Sequence, residues 1–214
     1  MTARAEVYKP RCAVRVVTAT SLFDGHDAAI NIMRRILQAT GAEVIHLGHN
    51  RSVHEIVYAA IEEDAQGIAV SSYQGGHIEF FKYMVDLLKE KDAPHIKVFG
   101  GGGGVILPDE AQELEAYGIE KIYSPEDGVH LGLQGIINDL VERIDFPTVE
   151  SGSDFELDQL RPINKPLVAK LISAMELAKA EGNGHLARLR AHISERLKER
   201  IIPVLGITGT GGAG

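Results

Sequence analysis

Four short stretches hold the residues best suited to chemistry. The first, SLFDGHD, runs from Ser21 to Asp27 and sets His26 two residues after Asp24, with Gly25 between them. An imidazole can ligate a metal through one nitrogen while a carboxylate accepts the N–H of the other, which fixes the tautomer and raises the basicity of the free nitrogen. Read as local structure, the same residues are helix caps, Asp24 or Asp27 at the N-cap with His26 solvated. One histidine cannot close a metal site, but it suits the axial position of a metal whose other positions a macrocycle fills. The second stretch is SSYQGGH, from Ser71 to His77. Ser71 and Ser72 read as satisfied turn residues or as a small polar wall, and Gly75 and Gly76 permit close backbone approach to a flat or phosphorylated ligand. His77 then lines the face of such a ligand or caps a helix. The third is a run of glycines from Gly100 to Gly104. It is either a flexible loop or a wall stripped of side chains against which something thick can lie, and the core-strand sequence leading into Gly100 argues against simple disorder. The fourth, Gly209 to Gly214, fits the GxxxxG that opens a phosphate-binding P-loop, whose lysine and serine or threonine would be the next two residues.

These stretches need elements to hold them. From Cys12 to about Asp145, short Val- and Ile-rich runs alternate with segments of helical period, the rhythm of βαβ units. Predicted strands cover Ala13 to Thr18, Glu43 to Leu47, Gly67 to Val70, Ile96 to Phe99 and Lys121 to Tyr123. Between them, Val53, Ile56, Val57, Ala60 and Ile61 repeat at three and four, as do Phe81, Met84, Val85 and Leu88, and then Leu133, Ile136, Ile137, Leu140, Val141 and Ile144. Ser52 with Glu55 reads as a capping box, Ser124 before Pro125 as an N-cap, and Gly41 and Gly118 as helix stops. Parallel strands joined by helical crossovers must be covered on both faces, so the fold class is α/β: a doubly wound, five-stranded parallel sheet of flavodoxin or Rossmann type. In such a sheet ligands bind beyond the carboxyl ends of the strands, where the first three stretches fall. No GxGxxG follows the first strand, so a dinucleotide fingerprint is missing from its place.

After Asp145 the composition shifts to Pro, Gly, Ser and acidic residues, as in a linker or extended strap. A helical hairpin follows, with Leu167, Leu171, Ala174 and Ala178 on one helix and Leu186, Leu189, Ile193 and Leu197 on the other. IIPVLGIT then reads as a buried strand leading into Gly209. The expected organisation is a ligand-binding domain over 12–145, a linker over 146–200, and the truncated start of a G domain over 201–214.

Composition narrows the function classes. Of 214 residues, 22 are Lys or Arg and 30 are Asp or Glu, a net charge of −8 that opposes phosphate backbones and anionic lipid surfaces. No apolar run approaches a membrane span or a secretory signal, and the expected location is cytoplasmic. The single Cys12 is expected in a strand core, and a disulfide scaffold or thiolate zinc cluster is excluded. His46, His49 and His54 straddle a strand end, a loop and a helix start and read as no metal cluster. Glu62, Glu63 and Asp64 read as a solvated helix end, and Arg188, Arg190, Arg196, Lys198 and Arg200 as the exposed face of the last helix.

In order and placement, the first three stretches resemble the cobalamin-binding domain of base-off, His-on adenosylcobalamin mutases, whose pattern is DxHxxG, then SxL, then GG. Asp24, Gly25 and His26 match the first part, Ser71, Ser72 and Tyr73 the second, and Gly103 and Gly104 the third, over about residues 12–145. Ala29 stands at the glycine of DxHxxG and Tyr73 at the leucine of SxL, both pocket-shaping positions. DGHDAAI, SSYQGGH and GGGVILPDE look like acyl-CoA carbon-skeleton mutases, and GITGTGGAG looks like their G-protein chaperones. That succession is similar to fused mutases of the isobutyryl-CoA/n-butyryl-CoA type. The resemblance implies adenosylcobalamin as cofactor, His26 as axial cobalt ligand, and a deep slot for the nucleotide tail beside Ser71 and the glycines. Asp24, Gly25, Tyr73, Gly75, Gly76, His77, Gly103 and Gly104 would complete the cofactor site. It further implies radical isomerisation through cob(II)alamin and a deoxyadenosyl radical. A substrate TIM barrel and a G domain using GTP and magnesium would stand elsewhere in a longer, homodimeric chain, so these residues alone would bind cobalamin without turnover. A corrinoid carrier for methyl transfer resembles the same domain but usually has a helical cap where this sequence has residues 1–11. A phosphorelay receiver would need an aspartate near Ser71.

Overall fold

Five parallel strands form one sheet in the order β2-β1-β3-β4-β5 in the computed structural model, which describes residues 6–153, 155, 157–182, 184–198, 203, 205, 206 and 209. They are β1 (Arg15–Ser21), β2 (Glu43–Arg51), β3 (Gly67–Ser71), β4 (Lys97–Gly101) and β5 (Lys121–Tyr123). The helices are α1 (Ala28–Thr40), α2 (Val53–Glu62), α3 (His77–Glu90), α4 (Pro108–Tyr117), α5 (Pro125–Arg143), α6 (Lys165–Glu181) and α7 (His185–Leu197). Every residue of β1 and β3 is buried, as strands between two helical layers must be. On one face α1 and α5 bury Leu37, Ile137 and Leu140 against Val16, Ala69 and Phe99. On the other, α2, α3 and α4 bury Ile56, Phe81, Met84 and Leu114 against Val17, Ile68 and Val98. This is the expected doubly wound α/β sheet. The chain leaves β1 toward β2 on one side and later returns to β3 on the other, so the crevice of the switch point opens at the carboxyl end of β1.

The predicted caps form as read. Ser52 and Glu55 make a reciprocal box, as do Ser124 and Asp127 ahead of Pro125, while Gly41 (φ +104) and Gly118 (φ +131) end their helices in the region open to glycine. The strands run further than predicted at their carboxyl ends: β1 to Ser21, β2 to Arg51, β3 to Ser71 and β4 to Gly101. Apart from Ala19 the extra residues are polar or glycine and carry no apolar strand signature, yet they pair through backbone, Thr20 with Ser71 and Ser71 with Gly101.

At the amino end two expectations need correcting. Cys12 precedes β1 and is only half-buried. Its N–H donates to Asp145 Oδ1 at 2.9 Å, while Asp145 Oδ2 accepts the Arg11 N–H at 2.9 Å and the Tyr8 hydroxyl at 2.8 Å, so the buried carboxylate, not the sheet, fixes this stretch. Asp64 is not solvated but 3% exposed. Its Oδ2 accepts the Ser173 hydroxyl at 2.7 Å and also the Thr148 hydroxyl, because the strap after Asp145 and α6 fold back over the end of α2. Glu62 pairs with Lys165 at 2.7 Å, and only Glu63 of the three is fully exposed.

Helices α6 and α7 share an apolar contact. Leu171, Ala174 and Leu189 make a small core with Val149, Phe155, Leu160 and Ile193, and Ala178 is buried beside it; the Leu197 side chain lies outside the described residues. Arg188, Arg190, Arg196 and Lys198 are exposed, and Arg200 lies outside the described residues. Most of the strand expected over 201–208 and the loop from Gly209 to Gly214 also lie outside them; Leu205, which is described, is exposed rather than buried. Among the described residues no helix is long and apolar enough to cross a membrane.

Candidate functional site

The turn after β1 builds the most specific piece of chemistry in the molecule. The Asp24 N–H closes the turn onto the Ser21 carbonyl at 3.1 Å, and Phe23 takes a positive φ of +65 with its N–H held by Asn50 Oδ1 at 2.8 Å. Asp24 is thereby turned inward and is 3% exposed. Its Oδ1 accepts the His26 backbone N–H at 2.9 Å and lies 2.7 Å from the ring Nδ1, and its Oδ2 accepts the Tyr73 N–H at 2.5 Å. One carboxylate therefore orients the imidazole and ties the loop after β1 to the loop after β3. Burial pushes the Asp24 pKa up, but the N–H donors of Tyr73 and His26 and the His26 ring more than offset this and hold it below the ordinary aspartate value. With Nδ1 donating to the carboxylate, the His26 lone pair sits on Nε2. The side chain is 74% exposed, and Nε2 has no protein partner among the described residues. Neither Asp24 nor Asp27 caps α1 through its side chain, although Asp27 occupies the N-cap position.

Beside this pair a cavity of about 270 Å³ opens between α1 and α5, over the carboxyl ends of β3 and β4. Its walls are mostly apolar: Ile30, Met33 and Leu37 from α1, Ile136, Ile137 and Leu140 from α5, and Phe99 from the sheet. Ser71 supplies a hydroxyl to the lining, 3.3 Å from Thr20 Oγ1, and Tyr73 also lines the cavity, with its ring centroid 5.4 Å from that of His26. Ser72 points elsewhere and accepts the Ser21 hydroxyl at 2.8 Å.

Gly100 to Gly103 all border this cavity, but not for one common reason. A Cβ on Gly100 would sit 2.6 Å from both Phe81 and Ile122 on the opposite face of the sheet, and one on Gly102 would sit 2.0 Å from the Ser72 carbonyl oxygen. Gly103 has a φ of +57. The protein's own packing demands those three, and only Gly101, whose Cβ would meet nothing closer than 3.4 Å, reads as a wall left bare.

Other singled-out residues stand apart. Gly25, Gly75 and Gly104 face open space, and a Cβ on Gly76 would meet Gln74. His77 is buried at the start of α3, with Nδ1 3.1 Å from the Gln74 carbonyl and Nε2 3.1 Å from Glu110 Oε2, and does not line the cavity. His46 Nδ1 is 2.9 Å from the Thr18 hydroxyl, and His54 packs on Tyr58 and Tyr83. No group of three or more metal-ligating side chains gathers among the described residues. The cavity residues of α5, Ile136, Ile137 and Leu140, read from the sequence only as a buried stripe, and those of α1, Ile30, Met33 and Leu37, carry no reading there. Nothing in an apolar period separates packing against protein from packing against a ligand.

The family profile described as the B12 binding domain matches residues 14–122. The fused isobutyryl-CoA mutase of Geobacillus kaustophilus is 62% identical over 213 residues, 98% of this chain but 19% of that protein, and the chain spans about a fifth of the length of such relatives. The 2-hydroxyisobutanoyl-CoA mutase small subunit of Aquincola tertiaricarbonis is 33% identical over 110 residues, 51% of this chain and 79% of that one. Among solved structures, a cobalamin-binding protein from Desulfitobacterium hafniense shares the fold, with a TM-score of 0.51 and 23% identity over 62% of this chain and 60% of that one.

Proposed function

Starting from a chain that belongs to the B12-binding domain family, we propose that it is the adenosylcobalamin-binding module of an acyl-CoA carbon-skeleton mutase of isobutyryl-CoA type, with His26 as the axial cobalt ligand. The observation that carries the reading is the Asp24–His26 pair, which presents one exposed nitrogen lone pair next to an apolar cavity of about 270 Å³. The donor set fits the cofactor: a lone imidazole cannot hold a free cation, but it completes a metal already enclosed by a corrin ring. The cavity walls suit a flat aromatic base, and the Ser71 hydroxyl gives the nucleotide tail one polar contact there. When bound, the cofactor supplies the radical chemistry by homolysis of its cobalt to carbon bond. The protein's own work is positional. Asp24 fixes the tautomer and direction of His26, α1 and α5 exclude water from the slot, and Gly102 lets the loops after β3 and β4 touch backbone to backbone.

The longer relatives support the rest of the assignment. Isobutyryl-CoA and n-butyryl-CoA are the proposed substrate pair, on a barrel elsewhere in a longer chain, with a G domain whose P-loop begins at Gly209 and Gly214 and uses GTP and magnesium, in a homodimer. The acidic charge and single cysteine support a cytoplasmic setting.

Electron paramagnetic resonance on the chain loaded with cobalamin in the Co(II) state tests the reading. One axial nitrogen should split the signal, and growth on 15N-histidine should change that splitting. A spectrum unchanged by the isotope, or identical in His26→Ala, rules out the ligand assignment.

A further inference from the structure

We propose that Tyr73 is a positioning residue whose ring guards the mouth of the slot and limits the tilt of His26, so that entry into the slot and placement of the ligand are coupled. The inference rests on the reading of His26 as axial ligand and of the cavity as the seat of the nucleotide tail. Three observations on one residue carry it. The backbone N–H of Tyr73 is fixed to Asp24 Oδ2 at 2.5 Å, so the residue cannot drift relative to the turn that carries His26. Its ring stands 5.4 Å from the imidazole, at an interplanar angle of 43°. Its Cε1 lies 3.0 Å from where a Cβ on Gly103 would be, and the ring borders the cavity. The side chain therefore reaches from the imidazole to the loop after β4.

The single hydrogen bond from Nδ1 to Asp24 sets where the imidazole points and leaves it free to rock about that bond. A ring tilted at 43° beside it limits that freedom on one side, much as a supporting shell restricts the rotamer of a ligand. Because the same half-buried residue also lines the cavity, beside the exposed His26, a flat group entering from the His26 side must push the ring aside or wait for it to move. The Tyr73 hydroxyl has no protein partner among the described residues, which assigns the effect to the ring. A leucine here would keep the backbone bond to Asp24 but would neither cover the imidazole nor span to Gly103.

The test compares the 214-residue chain with Tyr73→Leu and Tyr73→Phe, using adenosylcobalamin and adenosylcobinamide, a corrinoid without the nucleotide tail. Stopped-flow absorbance should show Tyr73→Leu taking up adenosylcobalamin about three- to tenfold faster than the parent, the penalty expected when the open form is a minor fraction. Uptake of adenosylcobinamide should be unchanged. In the Co(II) state the histidine splitting should broaden or weaken in Tyr73→Leu and persist in Tyr73→Phe. Equal rates and an unaltered spectrum in Tyr73→Leu overturn the proposal, as does equal acceleration with both corrinoids or a Tyr73→Phe variant that behaves like Tyr73→Leu. Should Tyr73→Leu not fold, Tyr73→Met is read in the same way. A parent chain that shows no histidine splitting at all would instead overturn the underlying ligand assignment, so the two failures are distinguishable.

Discussion

The two ends of the sheet treat their buried polar groups in opposite ways. At the amino end, Arg15 is 6% exposed and donates to Glu43 at 2.9 Å, Ser173 at 2.8 Å and Glu176 at 2.5 Å. Beside it Gln66 accepts the Arg15 N–H at 2.8 Å and donates to the carbonyls of Ala13 and Phe146. Asp64 and Asp145 complete a set in which each of these polar groups has a protein partner, even though a cavity of about 160 Å³ lies against Arg15, Gln66 and Ser173. At the carboxyl end, a carboxylate as deeply buried spends one oxygen on an imidazole that faces solvent, next to a cavity. What separates the two ends is not a cavity, which both have, but that at the carboxyl end the buried carboxylate orients an exposed imidazole whose second nitrogen has no protein partner among the described residues.

The largest expected effect breaks the idea that the glycine run is one uniform device. Gly102→Ala would force a methyl to within 2.0 Å of the Ser72 carbonyl, and the backbone cannot yield without parting the loops after β3 and β4. A loss of about 3 kcal/mol or more is expected in urea denaturation, with cobalamin binding lost alongside. Gly104→Ala, with nothing within 4 Å, should stay within about 0.5 kcal/mol of the parent. Similar losses from both would mean that the run acts through flexibility rather than contact.

The next effect isolates the amino end. Gln66→Leu leaves the Arg15 N–H and two carbonyls without their partner in a site 2% exposed, and should cost about 2 to 3 kcal/mol. The folded fraction should bind cobalamin as before. A matching loss of affinity would show that the two ends are coupled through β1 rather than separate in role. At the other end, Asp24→Asn keeps the shape but weakens the acceptor. Cobalamin affinity should fall about 10- to 100-fold in an equilibrium titration, the usual scale for a group that supports a ligand. An unchanged affinity would return Asp24 to tying loops together.

How much of this could be read from the sequence follows the same division. The sheet, its helices, the caps at Ser52 and Ser124 and the placement of His26, Ser71 and the glycines all rest on local patterns, and local patterns survive folding. The misread residues share a different property. Asp64 and Cys12 looked like a solvated acid and a core thiol because their partners, Ser173, Thr148 and Asp145, lie 84 to 133 residues away in the chain. The glycine run looked like one feature because composition cannot say that Gly100 meets Phe81 while Gly102 meets Ser72. The α5 wall of the cavity reads as core because an apolar stripe has the same period whatever it faces, and the stripe of α1 goes unread.

The smallest effect compares the two ends through acid. Asp24 and Asp145 both titrate below the ordinary aspartate value. For Asp145, burial is outweighed by the N–H groups of Arg11 and Cys12, the Tyr8 hydroxyl and the Arg11 side chain; for Asp24, by those of Tyr73 and His26. A carboxylate whose folded pKa is depressed stabilises the folded state above its unfolded pKa, near 3.8, and that stability drains away as pH falls through the folded value. Stability should therefore be flat from neutral pH down to about 5 as far as these two groups are concerned, then decline below about 4, by no more than about 1.4 kcal/mol per pH unit for each. Urea midpoints at stepped pH read the slope. Asp145→Asn should shallow it without touching cobalamin affinity, because the groups it releases lie at the amino end of the sheet. Asp24→Asn should shallow it and weaken binding together. If neither variant changes the acid slope, the two carboxylates do not set it, and the contrast between the ends rests on their neutral hydrogen bonds and packing alone.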